Sequence, residues 1–261
     1  MFEIASLNLA TVTIIGLILI AFLSGVGITT IGPGGIFLTI ALYALTPLPS
    51  GVIAGTVQVA FVLTGVIGTL AYIRSGEIST ENHAQILFLC IGSISGALLG
   101  SWLNNFVSRD LFGILLGLLA GIVGITILYR HVRSLEPIVE INLTSTSGKV
   151  AYTALGVCLG AFSGLLGVGG PVIAVPALVI VGVPMLYAVA IAQVQSIFIA
   201  FFAASGYFVQ GQISMILAIM IALPLAGGVV LGWKIAHLIE PAKLKLVLAL
   251  VLIIIAPYLA I

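Results

Sequence analysis

Apolar residues run through this chain in ten blocks, separated by short polar breaks or by glycine and proline clusters. The first five cover 10–31, 34–47, 51–73, 84–103 and 110–129. A polar stretch from Arg130 to Lys149 follows, and then come 149–166, 170–182, 186–208, 213–233 and 242–260. Most blocks are near the length of about 20 residues that a helix needs to cross a hydrocarbon core of about 30 Å, so they predict membrane-spanning helices. Two are shorter. The block 170–182 reaches only about 20 Å as a helix and so stops partway, and 34–47 behaves alike. A glycine cluster, which breaks helical backbone, precedes each of them.

The blocks run long, short, long, long, long, twice over, which predicts a duplicated unit: 1–130 a first repeat, 131–148 a polar connection, 149–261 a second repeat. An offset of 135 places Gly32, Gly34 and Gly35 on Gly167, Gly169 and Gly170, Pro49 on Pro184 and Gln58 on Gln193. It also places Tyr72 on Tyr207, Gly76 on Gly211 and Ile78 on Ile213. Upstream, an insertion of four residues in the first half brings Ser24-Gly25 onto Ser163-Gly164. Two glutamines at equal depth in apolar segments carry more weight here than any number of apolar matches.

Basic residues decide the relative orientation of the halves. With an odd number of crossings per half, Arg74, Arg130, Arg133, Lys149, Lys234, Lys243 and Lys245 share one side and only Arg109 lies opposite. An even number splits the same eight charges four and four. The cytoplasmic excess of Lys and Arg therefore favours odd, inverted halves, with both termini outside. Parity leaves open whether each short segment spans or re-enters, because a re-entrant hairpin removes two crossings. The expected fold class is an all-α polytopic membrane protein of two inverted repeats, each with long transmembrane helices and one short helix after a glycine-rich break.

Composition agrees with a bilayer and narrows the chemistry. The 261 residues are 62% hydrophobic and 6% charged, with mean hydropathy +1.39, whereas a soluble domain carries about 25% charged residues. A net charge of +1 without a basic cluster excludes nucleic acid as a partner. Cys90 and Cys158 lie inside apolar runs and read as small core residues, with neither a disulfide framework nor a metal site. The first block is too long for a signal peptide, lacks its basic start and cleavage site, and is kept as mature structure.

Gly32-Pro33-Gly34-Gly35 and Gly167-Val168-Gly169-Gly170-Pro171 each open a short helix. Free amides at such a start, with the helix dipole behind them, form an anion site. Matched short segments in inverted repeats point to a transporter's binding site. Thr56, Gln58, Gln193, Gln195 and Ser196 lie in the third segment of a half, where a buried amide or hydroxyl needs a partner and so faces the protein interior. They serve either as donors to an oxyanion or as glue between helices. Gly34, Gly35, Gly169 and Gly170 would supply backbone donors. The stripes Gly92/Gly96/Gly100, Gly113/Gly117/Gly121 and Gly156/Gly160/Gly164 read as close-packing faces, and Tyr72, Trp102, Tyr129, Tyr207 and Trp233 as interfacial anchors.

No Asp, Glu, His, Lys or Arg lies mid-segment, and His83, His131 and His237 fall in loops or at segment ends. Intramembrane hydrolases and proton-coupled carriers need such groups, so neither an enzyme nor a cofactor is expected. Anion efflux needs none, because an inside-negative potential expels each negative charge with about 2.3 kcal/mol per 100 mV. A passive anion channel and a non-transporting membrane subunit remain the alternatives, and a homo-oligomer stays open.

The segment Ser163-Gly-Leu-Leu-Gly-Val-Gly-Gly-Pro-Val-Ile-Ala-Val-Pro176 resembles the signature of the sulfite exporter TauE/SafE family. Ser24 to Gly35 is a looser copy, and Ala54-Gly-Thr56 and Tyr72-x3-Gly76-x-Ile78 are similar to further family motifs. The resemblance implies a multi-spanning permease of the inner or plasma membrane that exports sulfite, organosulfonates or related small anions. Val57, Ile191-Ala192 and Pro33 depart from the family pattern at positions that bear on the substrate.

Overall fold

In the computed structural model, residues 11–78, 83–133, 145–238 and 241–259 are described, and every regular element among them is helical. They are α1 (Thr11–Thr30), a 3-10 turn (Pro33–Gly35), α2 (Ile36–Leu45), α3 (Ser50–Arg74), α4 (His83–Leu103) and a second 3-10 turn (Asn104–Phe106). Then follow α5 (Arg109–Arg133), α6 (Thr146–Leu166), α7 (Gly170–Ile180), α8 (Met185–Val209), α9 (Met215–Leu238) and α10 (Pro241–Leu259). Seven of these, α1, α3, α4, α5, α6, α8 and α9, are long and apolar enough to cross a bilayer. Large apolar side chains such as Leu118, Leu223 and Phe201 stand exposed on the outside of the bundle. A helix apolar all round belongs in a membrane, and the chain is a multi-pass membrane protein. Helices α5 and α6 take in both edges of the expected connection 131–148, whose residues 134–144 lie outside those described.

The glycine stripes carry the packing. A Cβ at Gly92, Gly96 or Gly100 of α4 would lie 2.0–2.2 Å from carbonyl oxygens of α6, and Gly156 and Gly160 of α6 approach α4 as closely. Gly228 and Gly232 of α9 press on Phe22 and Val26 of α1 in the same way. Backbones this close gain dispersion contacts that larger side chains would forbid. The two helix pairs pack alike. Tyr72 donates to Thr29 O and Tyr207 to Gly164 O, and both the tyrosines and the two carbonyls stand 135 apart, so the ends of α1 and α6 correspond at that offset. The four-residue insertion that put Ser24-Gly25 on Ser163-Gly164 is absent. Glycine spacing of four allows that slip, and only the partner helix fixes the register.

Helices α3 and α8 cross in opposite directions. Gly55 lies against Tyr207, Gly65 against Ile197 and Gly68 against Gln193. Helix α10 runs antiparallel to α5 likewise, with Gly124 beside Leu252 and Ile253 and Gly113 beside Leu259. Tyr72 and Tyr207, expected at the membrane interface, are instead fully buried. Their hydroxyls donate to Thr29 O (2.5 Å) and Gly164 O (2.8 Å), carbonyls near the ends of α1 and α6. A phenol sealed in the core needs such a partner, and a carbonyl at a helix end offers one. Cys90 is buried as expected, whereas Cys158 faces outward.

The turns after α3 and α8 are latched to the ends of α9 and α4 by equivalent positions of different chemistry. At one end Gln212 Nε2 donates to Asn105 Oδ1 (3.2 Å) and Gln210 Nε2 to Ser101 O (3.3 Å). At the other, Glu77 Oε1 meets His237 Nε2 at 2.6 Å and Trp233 Nε1 donates to Ser75 Oγ (3.1 Å). Burial pushes the Glu77 carboxyl up, but hydrogen bonds from Ser75, His237 and its own amide, with the charge of His237, outweigh this and hold it below its ordinary value. A lowered carboxyl stabilises the fold above its unfolded value, near pH 4, and that contribution disappears as pH falls through the folded value. Thermal melts in detergent from pH 5.5 to 3 should therefore lose stability at the acid end, and Glu77→Gln should flatten that limb. An identical acid limb in the variant would remove Glu77 as its source.

Candidate functional site

Each short helix starts at a break that only glycine can make. At the end of α1, Gly27 O accepts from both Ile31 N (3.2 Å) and Gly32 N (3.1 Å), and Gly32 then turns at φ +99. At the end of α6, Gly167 takes φ +62 and Gly169 φ +80. Side chains other than glycine rarely adopt these angles. The two breaks meet. A Cβ at Gly35 would lie 2.8 Å from Val168 O, one at Gly32 would strike Val175, and Thr39 Oγ1 of α2 donates to Gly167 O at 2.5 Å. The amino-terminal ends of α2 and α7 thus converge on one spot.

That spot lies at the middle of two long helices, α3 and α8. Phe61 of α3 and Ser196 of α8 border it, each the twelfth residue of a 25-residue helix. From there α2 runs back only to the beginning of α3, and α7 to the beginning of α8, so neither short helix spans. Ile28, Gly32, Gly35, Thr64, Val168, Gly169, Pro171 and Val172 complete the lining. About 180 Å³ between these walls is unfilled, all of it in crevices too narrow for a water molecule. The structure is closed at this point.

No ionisable side chain lines the crevice, and no group of His, Cys, Asp or Glu able to hold a metal occurs among the described residues. What it offers is the hydroxyls of Thr64 and Ser196 and the positive ends of two helix dipoles, a combination that attracts an anion without trapping it. Thr64 Oγ1 donates to Phe61 O (3.1 Å).

Of the residues expected here, Gly35, Gly169 and Ser196 line the crevice, and Gly170 backs directly onto Ser196. Gly34 turns away, against Gly27 of its own α1. Thr56 Oγ1 accepts from Ser214 N (3.0 Å) at the start of α9, and Gln195 Nε2 donates to Ser93 Oγ (2.7 Å) in α4. Gln58 Nε2 donates to Ser163 O (2.8 Å) and Gln193 Nε2 to Ile28 O (3.3 Å), each just before a glycine break. Ile28 and Ser163 are themselves 135 apart, so the glutamines make one bond twice, across the halves. The carbonyl oxygen of each amide stays without a partner in the core.

Residues 14–259 match the family model of the sulfite exporter TauE/SafE proteins. The chain belongs to this family. Among curated relatives, it is 25% identical over 233 residues to the probable membrane transporter protein YdhB of Bacillus subtilis, covering 88% of this chain and 93% of that one. It is 22% identical over 263 residues to the probable membrane transporter protein YunE of the same organism, covering 92% and 94%. A probable membrane transporter protein of Xylella fastidiosa is 28% identical over 159 residues, 60% of this chain and 59% of that one. No solved structure matches. This TauE/SafE member is a membrane transporter and not an enzyme.

Sequence reasoning missed Phe61, Thr64 and Thr39, which hide among apolar neighbours. The repeat itself held a signal for the first, since the offset of 135 pairs Phe61 with Ser196. Arg109 was placed only by its side of the membrane, without a structural role. Its guanidinium donates to Tyr43 O, Thr46 O and Leu48 O and stacks 4.5 Å over the Tyr43 ring. A cation thus closes the carboxyl end of α2 and answers its dipole. The TauE/SafE chain ends α7 differently, with Gly182 at φ +93 and Val183 N on Leu178 O (3.0 Å), a glycine-based stop.

Proposed function

We propose that this transporter exports a small sulfur-containing anion, sulfite or an organosulfonate, through the crevice between two repeats inverted in the membrane plane. The observation that carries the reading is the convergence of two short-helix amino termini, without a titratable group, at the centre of the antiparallel crossings α3 and α8. A two-fold axis that exchanges two antiparallel crossings lies in the membrane plane, which is what inversion requires. Three crossings and one re-entrant hairpin per half then put seven of the eight basic residues on the cytoplasmic side of the plasma or inner membrane, with both termini outside.

Gly35, Gly169, Gly170 and Ser196 contact the anion. Gln58 and Gln193 hold the ends of α1 and α6 that carry the turns. The membrane potential drives export, and no proton relay is needed.

Reconstituted vesicles loaded with sulfite, sulfoacetate, sulfate or chloride test this. Saturable efflux of the sulfur anions, faster under an imposed potential that is negative on the loaded side and indifferent to a pH gradient, is the expected result. Flux that never saturates would make the protein a channel, and no flux of any anion would leave a non-transporting subunit.

A further inference from the structure

Phe61 and Ser196 are equivalent positions, and so are Gly35 and Gly170. The two pairs nevertheless meet in different ways. In the second half, a Cβ at Gly170 would lie 3.0–3.1 Å from the Cα and Cβ of Ser196. In the first, a Cβ at Gly35 would lie 3.1 Å from Phe61 Cζ, and the ring also reaches the other turn, where a Cβ at Gly169 would lie 3.0 Å from Cε2. One phenyl ring thus spans both glycine turns and is almost wholly buried. Ser196 packs against Gly170, whereas Phe61 stands against both Gly35 and Gly169.

We infer that Phe61 is the plug of the crevice: its ring shuts the gap between the two turns, and its bulk sets the largest anion that can pass. The inference rests on the transport reading for its second part only, because closure by the ring is a matter of access. The edge it shows to the amide-lined space carries the positive part of its quadrupole, so the plug does not repel the anion it admits.

Accessibility tests the closure directly. In a chain carrying Cys90→Ala, Cys158→Ala and Ser196→Cys, the single thiol is titrated with a small anionic methanethiosulfonate in detergent and in vesicles. Labelling should be slow with Phe61 in place, at least tenfold faster with Phe61→Ala, and intermediate with Phe61→Leu, which leaves less of a void and serves if the alanine variant fails to fold. Equal rates in phenylalanine and folded leucine or alanine variants would overturn the plug. The second part is read as selectivity, where Phe61→Ala or Phe61→Leu should raise the flux of a bulky organosulfonate relative to sulfite severalfold. Faster labelling with no transport by any variant would sink the transport reading and keep the plug. Wild-type transport with unchanged labelling and selectivity would do the reverse.

Discussion

Gly34→Ala should leave little or no folded protein. Its Cβ would stand 2.4–2.5 Å from Gly27 C, Gly27 Cα and Ile28 N, all of them backbone atoms of α1. No side chain can rotate to relieve this, so the turn that starts α2 must lift off the helix that precedes it. Overpacking a core usually costs about 1–3 kcal/mol, and a clash confined to backbone lies at or beyond the top of that range. Gly76→Ala is the matched control. Gly76 has φ +84 but nothing within 4 Å of its Cβ position, so it bears only the cost of left-handed backbone, roughly 1–2 kcal/mol. Yield of monodisperse protein and melting temperature in detergent should separate the two clearly. Similar behaviour of both variants would mean that α1 and the turn are not held together by this approach.

Gln58→Leu and Gln193→Leu should each cut transport by at least tenfold while costing only about 1–3 kcal/mol of stability, the penalty for leaving a buried carbonyl without its donor. Ser163 O keeps Gly167 N at 2.8 Å after the first substitution, which limits the damage to the fold. What is lost is the tie between the end of one half's first helix and the third helix of the other half, immediately before the turn that lines the crevice. Efflux from vesicles against the melt of the same preparation reads the two effects apart. Unchanged efflux in both variants would reduce the glutamines to interhelical glue.

Much of this architecture was legible in residue order because the bilayer simplifies the problem. A helix in hydrocarbon satisfies its own backbone, so apolar length alone predicts it. The ten segments match the ten helices among the described residues to within a few residues, and the breaks at Gly32 and Gly167 follow from glycine clusters. Tyr72 and Tyr207 show where that logic fails. Aromatic residues near segment ends commonly sit at the interface, but these two close carbonyls inside the protein, and no local pattern tells the two uses apart. The glutamines were rightly expected to face inward, yet their partners, Ser163 O and Ile28 O, lie more than 100 residues away.

Amino-acid order alone determined that the chain is helical and lives in a membrane, that several residues from Gly32 to Ile78 find their like 135 positions on, and that two short helices start at glycine breaks. Those properties depend on local length, period and backbone freedom, which the neighbours of a residue dictate. Tertiary structure alone decided that the two starts meet, that α1 and α6 align without an insertion, and that Phe61 rather than a glutamine stands in the gap. Each of these depends on which atoms approach across different helices, and in a chain this uniformly apolar, hydrophobicity does not distinguish one helix face from another.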